Sequence, residues 1–540
     1  MINPAHPSPI ARSPRMRSVR LAGFFLCILM AIAGCRGTPV EAVPEAVAAI
    51  PPEAFYELTL RPELGEDGMV QAIAVTSRLH GGLKAGETRL KLSAPVVYVN
   101  VMGIADRIQD LHVTDAAGPV EFTFEQDDPV PGGFPYFRHW TATRDVELPL
   151  DISYRALVQP EGGPPGPAFG IRPSKGGVSG SGAGYMIVPV NAESRLSILD
   201  WDLEEFGPGA VGVTTFGEGR VTVEGPPAAL MQGWLIAGQA EQYPSAEEKS
   251  HFRAYWLGDF PFDVAAEMAY AKDLYDFFAE FFVYLDPAPD YRVFLRQLDT
   301  QPYGGATALA NSFMLSRGPA LPEEIGGQSP RSTLAHEMIH MWVGGLSGEH
   351  VLTNWFSEGL TTYYEYTVPF RAGKLSMEEY VSELNALSER YYTNPAREMS
   401  AVEIGQVGFN DGRIRHAPYE RGALYFADLD SRIRSASGGA RTLDLLLREV
   451  FTLRQRGDVE LTIEAWSDFV SVEIGAEEEA YVRALHIDGQ LIYPAPDAFG
   501  QCVRGVPAVI EAGGETFQGM QWERVDGVAP EACFAVAPAN

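Results

Sequence analysis

Basic residues are scarce in this chain of 540 residues: 41 Lys and Arg stand against 71 Asp and Glu, a formal charge of −30. Four of the arginines, Arg12, Arg15, Arg17 and Arg20, lie in the first 34 residues, which hold no acid. The remainder is therefore more acidic still and offers no basic groove to track phosphates, which argues against nucleic acid as a partner. Long apolar runs are missing too. The run LAGFFLCILMAIAG (21–34) has 14 residues, short of the roughly 20 that span a bilayer as a helix. Cysteine is rare: Cys27 lies in that run, Cys35 follows it, and only Cys502 and Cys533 remain further on. No repeat of fixed period recurs, which excludes a solenoid. What is present is apolar substance, 46% hydrophobic and 11% aromatic, too much for a disordered chain and enough for about three to four domains.

Arginines ahead of a short apolar run mark a targeting segment. The run ends Ile32-Ala33-Gly34-Cys35, which resembles the bacterial lipobox, so residues 1–34 read as a lipoprotein signal peptide and Cys35 as the lipidation site. A plain secretory signal with an incidental cysteine is the alternative. Residues 35–52, rich in Pro, Ala and Val, suit a tether. The expectation is an exported bacterial lipoprotein, periplasmic or at the cell surface, held to a membrane by its N-terminal lipid. Arg36 stands where an aspartate retains some lipoproteins at the inner membrane, which favours the outer one by analogy. In such a compartment Cys502 and Cys533 are expected to form a disulfide.

Residues 53–245 alternate apolar and polar at period two, as in FYELTLRP, GMVQAIAVTSRL and VELPLDISYRALV, and predict a β-rich domain, an antiparallel sheet or sandwich. The Gly/Pro/Ser-rich segment 159–185 reads as a surface insertion, or as a flap over a site. From about 250 helical spacing takes over, with helices predicted at 263–282, 332–345, 355–367, 376–392, 420–435, 441–454 and 462–472. Strands first and helices later give an α+β multidomain chain.

Within AHEMIHMWVGGLSGEHVLTNWFSEGLTTYY (335–364), His336 and His340 are a helical turn apart on one face, and Glu337 sits one position round. This H-E-x-x-H spacing supplies two zinc ligands and a general base. Ser332 or Thr333 offers an N-cap. Asn354 can cap a second helix, stopped before Pro369, that carries Glu358 in its first turn. Two histidines and one glutamate leave a fourth position open, which is a catalytic rather than a structural zinc set, one Zn2+ per chain. Glu365 lies two turns beyond Glu358 and reads either as a hydrogen-bond partner of a ligand histidine or as a solvated helix residue. His350 and His416 lack ligand spacing and read as structural or surface groups.

HEMIHMW, GGL and NWFSEGLTTYYEY together resemble the gluzincin superfamily, and SEGLTTYYEYTVPFRAGKLSMEEYVS (357–382) and APYERGALYFADLDSRIRSASGGARTLDLLLREV (417–450) resemble its glycyl aminopeptidase family. The resemblance implies an N-terminal β-sandwich-like domain (53–245), a thermolysin-like zinc catalytic domain (250–375) and a helical domain (376–490). Where the family usually carries a PDZ domain this sequence departs from it: residues 491–540 are too few for one and, with their cysteine pair, read as a small disulfide-stapled tail. It also implies that Tyr419 hydrogen-bonds the oxyanion of the tetrahedral intermediate, a neutral donor aimed where charge develops. Gly304, Gly305 and Ala306 fall where these families carry an edge strand beside the substrate. Exopeptidases of the group carry a glutamate shortly after the glycine pair to bind the substrate's α-amino group; here Ala306-Thr307-Ala308 follows.

The leading function is a membrane-tethered zinc metallopeptidase acting on a peptide or protein, with exopeptidase specificity open. The alternative is a catalytically silent, zinc-containing surface protein that binds peptides by strand addition. Hydrolysis of a non-peptide substrate has a precedent in the superfamily's epoxide-hydrolysing member and no specific support in these residues.

Overall fold

The computed structural model describes residues 54–130, 134–160, 168–285, 287–298, 304–318, 330–408 and 411–534. The expected signal peptide, Cys35 and the tether lie outside them.

The period-two segments form three sheets. The largest orders its strands Val221–Glu224, Leu196–Trp201, Phe55–Leu64, Val70–Leu79, Leu150–Leu157, Ile108–Asp115 and Gly118–Pro119. In its first strand Tyr56, Leu58 and Leu60 are buried and the residues between them are not, as alternation demands. Pairing is antiparallel except between Phe55–Leu64 and Leu196–Trp201, which run parallel. A second sheet is built on Lys91–Tyr98 and Tyr136–Ala142, a third on Gly177–Ser181, Trp234–Gly238 and Val211–Thr214. Side chains from all three, among them Val75, Leu92 and Leu235, share one core.

The glycine-rich segment departs from expectation. Residues 161–167 lie outside the description, but Arg172–Ser174 and Gly177–Ser181 are strands of the third sheet, and 177–189 are buried throughout. Its glycines serve close backbone packing rather than mobility. A Cβ on Gly177 would stand 2.1 Å from the Ala237 carbonyl oxygen, and one on Gly182 the same distance from that of Leu230.

A fourth sheet, Glu241–Tyr243, Phe252–Leu257, Tyr291–Gln297, Ser312–Arg317 and Gly304–Leu309 in spatial order, carries the helical half. Its three central strands are parallel. Parallel neighbours need a crossover, and helix α1 (Val264–Phe282) provides the first, capped by Asp263, whose side chain accepts from Ala266 N–H. Met268, Ala271, Tyr275, Phe278 and Phe282 form its buried stripe at helical spacing. The last strand, Gly304–Leu309, is antiparallel to Ser312–Arg317 and lies at the sheet edge.

Then come α2 (Arg331–Ile339), α3 (His350–Arg371), α4 (Met377–Tyr392), α5 (Ala401–Val407), α6 (Gly412–Ala436), α7 (Leu443–Arg456) and α8 (Ile463–Ile474). The architecture is mixed α+β, β-rich first and helical later, as expected. Three helices differ at their ends. The N-cap position of α2 is Pro330, with no side-chain cap, and the helix stops at Ile339, before Gly344 and Gly345 rather than at them. Helix α3 starts at His350, four residues ahead of Asn354, and continues through Pro369; α6 starts at Gly412 and contains Pro418. A proline inside a helix costs about 3 kcal/mol, and burial offsets it: Trp355 to Phe370 are buried without a break.

After residue 490 the chain forms a hairpin, Val503–Ala512 with Glu515–Arg524, turning on Gly513 and Gly514, both at positive φ. It docks on α4: Trp522 N–H donates to Asn385 Oδ1 at 2.7 Å, and Asn385 Nδ2 donates back to the Trp522 carbonyl at 3.0 Å. Cys502 and Cys533 are joined as a disulfide and lie in the core shared with α3. Among the described residues no helix is long and apolar enough to cross a membrane.

Candidate metal centre

Helix α2 lies between α1 and α3 and beside the edge strand Gly304–Leu309. Its inner positions Leu334, Ala335, Met338 and Ile339 are buried in the core, so the face one step round, bearing His336 and His340, is held against α3. From α3 the Glu358 carboxylate meets both rings: Oε2 is 3.4 Å from His336 Nε2 and 3.3 Å from His340 Nε2. One ligand atom from each of the three residues falls within 4.8 Å of the others, the one such group among the described residues.

The far sides of the rings are also held. Glu365 Oε2 lies 3.0 Å from His336 Nδ1, and the Ser332 hydroxyl donates to Oε1 of the same carboxylate. Glu365 therefore faces the centre rather than solvent. Thr361 Oγ1 lies 3.3 Å from His340 Nδ1. With each Nδ1 so occupied, it is Nε2 of each ring that faces Glu358. The sequence offers Ser332 as a possible cap and does not single out Thr361. Ser332 stands one turn before the ligand His336, and Thr361 about one turn after the ligand Glu358; that nearness in sequence to a ligand is the one signal available, because the groups they contact, Glu365 and His340, lie on the other helix.

Charge agrees with the geometry. Burial pushes the Glu358 carboxyl up, but His340 and His336 hold it well below the usual carboxylate range. Burial pulls the His336 imidazole down, and Glu358 and Glu365 more than reverse this. Burial raises Glu337, with His336 and His340 opposing and Glu358 and Glu365 adding to it. Three carboxylates surround two imidazoles, so with both rings neutral the centre carries an excess of negative charge that a bound dication would balance. Two imidazole nitrogens and a carboxylate oxygen suit zinc.

Tyr419 reaches the same place from α6. Its ring lies nearly parallel to that of His336, centroids 5.8 Å apart. Burial and the Glu358 carboxylate raise its phenol well above the ordinary value, so it stays a neutral donor. His416, for which a structural and a surface role are both open in the sequence, is exposed, and its ring is 5.1 Å from Tyr419. His350 is the exposed first residue of α3. Gly304, Gly305 and Ala306 lie on the edge strand, with Gly305 exposed and Thr307 Oγ1 donating to the Ala306 carbonyl.

Residues 347–410, the stretch that carries Glu358, Thr361 and Glu365, match the profile of the M61 glycyl aminopeptidase family. No curated protein matches the chain. Among solved structures, an aminopeptidase N family protein from Idiomarina loihiensis is similar at a TM-score of 0.64 and 14% identity, covering 84% of this chain and 79% of that one. Leukotriene A4 hydrolase from Saccharomyces cerevisiae is similar at a TM-score of 0.47 and 15% identity, covering 82% and 69%. A segment similar to the glycyl aminopeptidases thus lies, with Glu358 in it, on a fold similar to that of an aminopeptidase N family protein.

Proposed function

We propose that this chain is an exported, lipid-tethered zinc metallopeptidase that hydrolyses peptide bonds, with His336, His340 and Glu358 holding one zinc ion, Glu337 acting as general base and Tyr419 stabilising the oxyanion. The convergence of Glu358 on the two Nε2 atoms carries the reading. Zinc bound there supplies a Lewis acid that polarises a carbonyl and makes water nucleophilic near neutral pH. Glu337 follows His336 on α2, engages neither ring in a hydrogen bond, and takes the proton from the attacking water. Tyr419, kept neutral by its surroundings, donates to the oxygen on which charge develops. Glu365 with Ser332, and Thr361, hold the rings in the tautomer that ligates.

The edge strand Gly304–Leu309 can pair with an extended peptide. It carries Thr307 and no acid, so it offers no charge to a substrate's α-amino group, and N-terminally blocked peptides belong among the substrates. The lipobox-like ending at Cys35 and the paired Cys502 and Cys533 support export to an oxidising compartment and anchoring by lipid, with the outer membrane favoured by Arg36.

The test pairs zinc content with hydrolysis for the chain from residue 37 and its Glu337→Gln variant, each offered free-amino and blocked peptides. One zinc in both and cleavage by the parent alone is the expected result. Zinc in both with no cleavage of any peptide would overturn the peptidase reading in favour of peptide binding. For the tether, radiolabelled palmitate should enter the full chain and not Cys35→Ser.

A further inference from the structure

Arg415 stands out among the charges near the metal centre. It lies in the first turns of α6, one turn before Tyr419, and the two therefore share a helix face. Its side chain is exposed, and among the described residues no carboxylate lies within ion-pair distance of it. Its neighbour Arg413, in the same turn, is instead paired with the capping Asp411 at 2.8 Å. The root of Arg415 is confined, since a Cβ on Gly408 would stand 3.4 Å from its Cα and 3.6 Å from its Cβ. A second cation near a helix N-terminus opposes the helix dipole, so the helix itself gains nothing from a positive charge here. Its field does reach the centre, where it acts on both Tyr419 and His416.

The geometry points to Arg415 as a specificity determinant: its guanidinium receives a carboxylate of the peptide substrate, one helical turn from the oxyanion donor Tyr419. This rests on the peptidase reading and adds a substrate class to it, peptides with a carboxylate close to the scissile bond. Two sources share that chemistry, an Asp or Glu side chain and a free C-terminus. A charge-assisted bond of this kind is expected to favour the charged peptide by roughly tenfold. The acidic body of the protein does not cancel it, because at about 0.1 M salt its field is screened beyond about 10 Å.

The experiment uses zinc-loaded protein and three peptides differing at one place: an amidated peptide with Gln, the same with Glu, and the Gln peptide with a free C-terminus. The parent should favour one carboxylate peptide over the neutral one by about tenfold in kcat/KM, and which one identifies the source. The ratio should collapse toward one in Arg415→Ala and invert in Arg415→Glu when a Lys peptide is added. Arg415→Lys should keep part of it. Equal cleavage of charged and neutral peptides by the parent, or a ratio unchanged in Arg415→Ala, overturns the assignment while leaving the peptidase reading intact. Cleavage of none of them overturns both.

Discussion

Gly359 on α3 and Gly422 on α6 lie so close that a methyl group on the first would stand 2.4 Å from the Cα of the second. Gly359 follows Glu358, and Gly422 is three residues after Tyr419. The contact therefore sets how near the carboxylate on one helix comes to the phenol on the other. Gly359→Ala is expected to push the helices apart, costing about 1–3 kcal/mol of stability and weakening zinc binding. Gly412→Ala, at a glycine with nothing within 4 Å of its added carbon, is expected to change stability by less than about 0.5 kcal/mol. Thermal unfolding with and without a chelator checks both.

The Ser332–Glu365–His336 chain yields a graded series. Glu365→Gln keeps the shape and removes the charge that orients His336, so zinc affinity should fall about 10- to 100-fold. Ser332→Ala frees one carboxylate oxygen but leaves the other on the ring, and the loss should be smaller. Competition with a chromophoric chelator measures the order; equal losses would mean that Ser332 matters as much as the carboxylate it holds.

Glu420 gives a pH signature apart from the metal. Burial pushes its carboxyl up to about 7, against Arg390 and the Asn394 side-chain amide. The folded state thus holds this proton more tightly than the unfolded chain does. The associated stability is present below the ordinary value of 4.5 and is lost as pH rises toward 7. Glu420→Gln should therefore gain on the parent by about 2 kcal/mol between pH 5.5 and 8, as read by denaturant unfolding at the two pH values. A constant difference would remove Glu420 as the source.

The Cys502–Cys533 bridge closes a loop of 31 residues, for which chain entropy predicts about 3–4 kcal/mol. The double Cys→Ser variant should lose that much. Because the bridge joins the core that also holds α3, its thermal transition should fall as one with the rest of the helical half rather than as a separate early step.

Much of the centre was legible because helical spacing is rigid: His336, His340, Glu358 and Glu365 are placed by their intervals once α2 and α3 are granted. Helix α4 was legible for a related reason, since Ser376 and Glu379 form a capping box at its start and fix Met377 as its first residue. Pro369 and Pro418 misled, because their local cost is outweighed by burial that only the tertiary fold reveals. The parallel pairing of Phe55–Leu64 with Leu196–Trp201 was not legible either. Alternation tells which residues face inward and says nothing of which distant strand lies alongside. Which histidine Glu365 holds, and the place of Thr361 beside His340, emerged only when two helices were laid together.

The paired strands Arg172–Ser174 and Gly177–Ser181 of the third sheet, with the residues around them, bear on how this chain tolerates change. By composition the stretch looks like filler, the kind of segment where insertions and substitutions accumulate without effect. Its glycines instead touch backbone from Ala237, Ile171 and Leu230 at distances that admit no side chain. In a saturation library scored for folding, the residues with least chemistry of their own should be among the least replaceable.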